Sequence, residues 1–156
     1  MSGVNKSTLG KVVTFVLEEW GMMMVDPYSD PQSAVHPFDP AERFYKVTAK
    51  YTGVFDGNLT VISQAQFAEA LTKNLLGMSA EEGVDETQKT DSLREFANVI
   101  SGNFLVDAFG DDTVFELPRF DVSEVDGAGL SGLFDSKIFI CLADGNPVGV
   151  RFEIEG

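Results

Sequence analysis

The sequence predicts an α+β fold in which an antiparallel sheet packs against long amphipathic helices. Two segments, Leu9 to Met24 and Leu93 to Phe109, repeat apolar residues at helical spacing. Short β-rich runs broken by turn residues follow each of them. With 156 residues, 44% apolar and 23% charged, the chain can bury a sizeable core, and residues 1–156 are expected to form a single domain.

In the first segment Leu9, Val12, Val13, Val16, Leu17 and Trp20 fall on one stripe at about 100° per residue. Lys11, Thr14 and Glu18 lie opposite, and Ser7 or Thr8 is the expected cap. Asp26 to Pro40 holds four of the six prolines and reads as an extended connection. Phe44 to Thr52, the turn residues Asp56-Gly57-Asn58, and Leu59 to Ile62 read as a hairpin. Gln66 to Met78 returns to helical spacing, with Gly77 near its end. Ser79 to Asp91 is polar and acidic and is expected to be a solvated loop with at most a short helical turn. After the second long helix, Val114 to Phe120 and Lys137 to Leu142 read as strands. A turn at Asp144-Gly145-Asn146-Pro147 then leads to Val148 to Ile154, so the last two strands form a second hairpin. Each half opens with a long helix and continues into antiparallel strands, the order of a degenerate internal duplication related by a pseudo-twofold axis.

Composition removes several function classes. The formal charge of −14 opposes binding to nucleic acid or to an anionic membrane surface, so a protein partner with basic surface is expected. One cysteine rules out an intramolecular disulfide and a Cys-rich zinc site, and Cys141 in its apolar run reads as a small core residue. The only histidine, His36, precedes Pro37 in the extended connection and reads as solvated. No apolar run reaches the length of a membrane span. The opening Met1-Ser2-Gly3-Val4-Asn5-Lys6 lacks the apolar core of a signal peptide, and a cytoplasmic location is expected.

Gly127-Ala128-Gly129-Leu130-Ser131-Gly132 satisfies G-x-G-x-x-G, but a dinucleotide site needs a helix N-terminus next, and a strand-like run follows. It reads as a flexible glycine-rich loop. Nucleophile-elbow, P-loop, zinc-protease and EF-hand spacings are missing. The segment Ser92 to Phe104 is different. Leu93, Phe96, Ala97, Ile100 and Phe104 make its apolar stripe, while Glu95, Asn98 and Gly102 gather on the opposite face. Ser92-x-x-Glu95 also fits a capping box, which would account for Glu95 alone. Asn98 and Gly102 are poor helix-interior residues, Gly by roughly 1 kcal/mol relative to Ala. On residues alone, a solvated face and a binding site both fit.

Glu95-Phe96-Ala97-Asn98-Val99-Ile100-Ser101-Gly102 resembles the E-x-x-N helix of the CheC/CheX chemotaxis phosphatases, in which an apolar residue and a glycine follow. Tyr51 to Val61 is similar to the strand pair before that family's middle helix, and the element order fits from Leu9 to Ile154. CheC-like members carry two such helices. Here the first helix has no E-x-x-N, so the single site is closer to the CheX pattern.

The resemblance implies a phosphatase acting on the aspartyl phosphate of a CheY-type response regulator. Asn98 would position the attacking water, Glu95 would pair with a lysine of the receiver, and Gly102 would let the partner approach. It implies no cofactor of the chain's own, with Mg2+ on the partner receiver domain, and a homodimer joined through sheet edges. The alternatives are a non-catalytic adaptor that binds a response regulator, an interaction domain like that of the flagellar switch component FliM, and a small-molecule binding domain with a Phe-rich pocket.

Overall fold

The computed structural model describes residues 6–28, 37–110, 115–130, 132–135 and 137–155. Pro31, His36, Val114 and Ser131 lie outside these. Helix α1 (Lys6–Phe15) continues into a π turn (Val16–Trp20), followed by β1 (Val25–Pro27), β2 (Phe44–Gly53), β3 (Asp56–Ser63) and α2 (Ala65–Leu76). Helix α3 (Glu86–Phe109), β4 (Phe115–Val125), a 3-10 turn (Gly127–Leu130), β5 (Ile138–Ala143) and β6 (Asn146–Glu155) complete the chain.

The strands form one six-stranded sheet in the order β1-β5-β6-β3-β2-β4, with every neighbouring pair antiparallel. Exchanging β1 with β4, β2 with β5 and β3 with β6 leaves that order unchanged, which is the pseudo-twofold arrangement the sequence predicts. Strand alternation turns Tyr45, Val47, Ala49 and Tyr51 of β2 to the same face as Leu59 and Val61 of β3 and Val148, Val150 and Phe152 of β6. Residues of all three helices join them in the main core. Helix α1 crosses β5 so closely that a Cβ on Gly10 would stand 2.8 Å from the Phe139 ring. On the other face Phe38, Phe44, Ile62, Leu130 and Ile138 form a smaller core.

Several boundaries differ from expectation. Ser7 and Thr8 lie inside α1 rather than capping it, and the helix stops at Trp20. Its last turn widens to a π turn, closed by the Gly21 N–H donating to the Val16 carbonyl at 3.0 Å, and Met22 then leaves in the left-handed region at φ 57°. Asp56-Gly57-Asn58 belongs to β3, and the hairpin reverses one step earlier at Val54 and Phe55. Gly57 serves close approach instead: a Cβ there would sit 2.6 Å from Tyr51 Cζ and 2.8 Å from the Glu153 carbonyl. The second hairpin turns at Asp144 and Gly145 alone, both at positive φ, so Asn146 and Pro147 already belong to β6. The first strand, β1, pairs with β5 and takes Asp26 and Pro27 from the start of the segment read as a connection. Strand β4 runs on to Val125 because β2 offers it partners from Gly53 to Phe44.

Gly127–Leu130 of the glycine-rich stretch forms a 3-10 turn whose Leu130 is buried in the smaller core. The chain after it is tied down by Asp135, which accepts two hydrogen bonds from Arg151 at 3.1 and 2.7 Å. Arg151 holds the Asp135 carboxyl below the usual carboxylate range. Burial pushes the Cys141 thiol up to about 12, as befits a core cysteine.

Candidate functional site

Helix α3 starts two turns before the expected point. Asp85 caps it: its side chain accepts from the Gln88 N–H at 2.8 Å, and the Gln88 side chain accepts from the Asp85 N–H at 3.0 Å. The polar stretch expected to be a loop therefore supplies the first turns of the helix. Tyr45 of β2 fastens them, donating to Glu86 at 2.7 Å, with the Lys89 ammonium over its ring. Burial and that hydrogen bond raise the Tyr45 hydroxyl above its ordinary value, and the same bond holds Glu86 below the usual carboxylate range.

This start changes the meaning of Glu95. Ser92 lies in the helix interior and is buried, so the Ser92/Glu95 capping box does not form. The buried stripe of α3 runs through Leu93, Phe96, Ala97, Ile100, Phe104 and Leu105. Phe96 stacks on Trp20 of the π turn at 6.2 Å between centroids and meets Phe67 of α2 at 5.5 Å. The two rings fix the rotation of α3, and Glu95, Asn98 and Gly102 consequently face outward, all exposed.

Among the described residues neither the Glu95 nor the Asn98 side chain forms a hydrogen bond or an ion pair. A Cβ on Gly102 would meet nothing within 4 Å, so the glycine leaves a notch rather than relieving a clash. The notch belongs to a shallow groove of about 420 Å³ lined by Asn98, Val99, Gly102, Asn103, Val106 and Asp107. Asn103 spends its amide on the Val99 carbonyl at 2.8 Å, which leaves Asn98 as the projecting carboxamide of this face. A carboxamide offers both an acceptor and two donors, and a nearby carboxylate attracts a cation. Such a face can hydrogen-bond a water and attract a cation.

Over α1 the corresponding face carries Lys11, Thr14 and Glu18, as the sequence predicts, bordering a second groove floored by Phe139. It has no E-x-x-N, so the two halves differ at the equivalent surface. Among the described residues no helix is long and apolar enough to cross a membrane.

The family model for chemotaxis phosphatase CheX matches residues 45–124, more than half of the chain and including Glu95, Asn98 and Gly102. The chain belongs to the CheX family. Its fold is that of solved CheX structures. A chemotaxis protein CheX from Desulfovibrio desulfuricans has 18% identity and TM-score 0.65, with 96% of this chain and 97% of that one covered. CheX from Vibrio vulnificus has 15% identity and TM-score 0.67, covering 96% and 95%. A CheX–CheY–BeF3–Mg2+ complex from Borrelia burgdorferi has 15% identity and TM-score 0.62, covering 96% and 97%. No curated protein matches the chain.

What sequence reasoning missed around the site is its support. The Asp85–Gln88 cap was visible as a D-x-x-Q spacing, but it sat in a stretch whose acidic composition suggested a loop. The Tyr45–Glu86 contact joins residues 41 apart and carries no local signal.

Proposed function

We propose that this protein removes the phosphoryl group from the aspartyl phosphate of a CheY-type response regulator. The observation that carries the reading is the pair Glu95 and Asn98: exposed, adjacent on one face of a rigidly packed helix, and without a local structural partner among the described residues. Membership of the CheX family supports it.

An acyl phosphate is already activated, so its hydrolysis needs orientation of a water more than a covalent intermediate. The Asn98 carboxamide oxygen accepts a hydrogen bond from that water and fixes it in line with the phosphorus–oxygen bond to be broken. Glu95, three residues earlier on the same face, pairs with a receiver lysine and fixes the register of docking. The Gly102 notch keeps a side chain from holding the partner away. Mg2+, bound by the receiver, supplies charge neutralisation at the phosphoryl group. The reading also includes a cytoplasmic protein, a single domain over 1–156, and a homodimer joined through the open edges of β1 or β4. Sedimentation at the monomer mass of 17.0 kDa would remove the dimer.

The test follows decay of phosphorylated receivers from the same genome. Wild type is expected to accelerate decay of its cognate receiver, and Asn98→Ala to lose the acceleration by at least about 10²-fold, the scale of a misplaced reactant. Glu95→Ala is expected to weaken binding. Full activity in Asn98→Ala refutes the assignment of the water.

A further inference from the structure

The face that carries Glu95 and Asn98 does not end at Gly102. Val106 lies eleven residues after Glu95, which at about 100° per residue brings it to within roughly 20° of Glu95 around the helix. Although a large apolar residue, it is 49% exposed. The same end of α3 is met by the β2–β3 hairpin, where the Phe55 ring lies edge-on to Phe109 at 4.7 Å between centroids. That contact anchors the hairpin tip, yet its neighbour Val54 is 74% exposed. A two-residue reversal ordinarily favours Asn, Asp or Gly, so nothing in the turn itself calls for an outward Val.

The unpaired charge that α3 presents beside these valines is acidic. The exposed acidic residues of α3 are Glu86, Asp91, Glu95 and Asp107, and its two cations are already paired, Lys89 with Glu86 at 3.4 Å and Arg94 with Asp91 at 3.2 Å. Asp107 follows Val106 and Asp56 lies two residues after Val54, both exposed, so the apolar foothold has carboxylates beside it. A partner fitting it presents an apolar side chain ringed by basic ones. Val106 is two turns from Asn98, about 12 Å along the axis, well inside a standard protein interface.

Resting on the reading above, we infer that the phosphorylated receiver docks against two elements at once, the outer face of α3 and the tip of the β2–β3 hairpin. Val106 and Val54 set affinity there, and the receiver surface that meets them is apolar with a basic border. The juxtaposition of a water-positioning carboxamide and an apolar foothold on one helix separates the two tasks: Asn98 acts on rate, and the valines act on binding.

The experiment measures receiver dephosphorylation over a range of phospho-receiver concentrations, and in parallel titrates each protein with receivers loaded with beryllium fluoride and Mg2+. Wild type is compared with Val106→Asp, Val54→Asp and, as a remote control, Met24→Asp, whose side chain is exposed beyond the π turn. Val106→Asp is expected to raise KM and Kd at least about 10-fold with kcat at saturation retained, and Val54→Asp several-fold. Met24→Asp should match wild type, and thermal melts should be alike because every site is on the surface. Unchanged KM and Kd in both Asp variants overturns the inference, as does a fall in kcat at constant KM. If wild type binds a loaded receiver without hastening hydrolysis, the phosphatase reading fails and the Kd values alone decide the docking surface. If wild type binds no receiver of its genome, both fall.

Discussion

Phe96→Ala would remove the ring that holds the site helix to its two helical neighbours. Phe96 is fully buried, stacks on Trp20 at 6.2 Å with planes 10° apart, and is tilted against Phe67 at 5.5 Å. Burying a Phe side chain stabilises by roughly 1.5–3 kcal/mol, and each aromatic pair adds about 0.5–1.5 kcal/mol. Both packing partners belong to helices that are themselves fastened to the sheet, so the space cannot collapse freely, and a loss of about 3–5 kcal/mol is expected. With a urea m-value of about 2 kcal/mol/M for a chain this size, the unfolding midpoint should fall by about 1.5–2.5 M. Trp20 is the only tryptophan and lies on the deleted ring, so its fluorescence reports both the transition and the local change in the native baseline. Circular dichroism should give the same midpoint. A loss under about 1 kcal/mol with an unchanged native Trp20 spectrum would refute the claim that this stack sets the rotation of α3.

The helix cap gives a paired test: Asp85→Ala should cost about 1 kcal/mol while Glu95→Ala stays within about 0.5 kcal/mol, measured by thermal melts, because the capping box is Asp85/Gln88. Asp135 has its carboxyl held low by Arg151, so its contribution is present above the ordinary Asp value near 4 and disappears as pH falls through the lower folded value. Urea unfolding from pH 6 to pH 2 should show an acid slope that Asp135→Asn lacks in part. Cys141, buried and with its thiol raised to about 12, should react with an iodoacetamide probe only on unfolding; native-state labelling at the rate of a free thiol would contradict its burial. Gly57→Ala should destabilise by about 1–3 kcal/mol in the same melts, because one of the atoms its Cβ meets is the Glu153 backbone carbonyl, which cannot swing aside.

Helical periodicity made the site legible. The angle between successive residues is fixed by the backbone, so knowing that Leu93, Phe96, Ala97 and Ile100 are buried already places Glu95, Asn98 and Gly102 outside. The hairpins were legible for a similar reason, since strand pairing between sequence neighbours leaves its turn residues nearby. The three-residue β1 was not: it holds a proline, and its partner β5 lies far along the chain. The start of α3 was hidden because Thr87, Thr90 and Asp91 are weak helix formers, and what overrides them is the cap together with Tyr45, a residue of β2. Asp56-Gly57-Asn58 misled because glycine signals both a reversal and a tight approach, and only the position of Tyr51 distinguishes the two. The hairpin tip beside Phe109 depends on a contact between residues 55 and 109, which no local pattern encodes.

The sheet order has a consequence for how the molecule comes apart. Strand β1 of the first half lies on β5 of the second, and β4 of the second half lies on β2 of the first. Each half has lent its outer strand to the other, like two hands clasped with the little fingers exchanged. Separating the halves therefore breaks three strand pairings rather than the central β3–β6 contact alone, and neither half keeps a complete sheet of its own. Unfolding is therefore expected to be one cooperative event with no stable half-molecule on the way. The platform beneath Glu95 and Asn98, built from α1 and α2 of one half and strands of both, should then loosen only together with the whole protein.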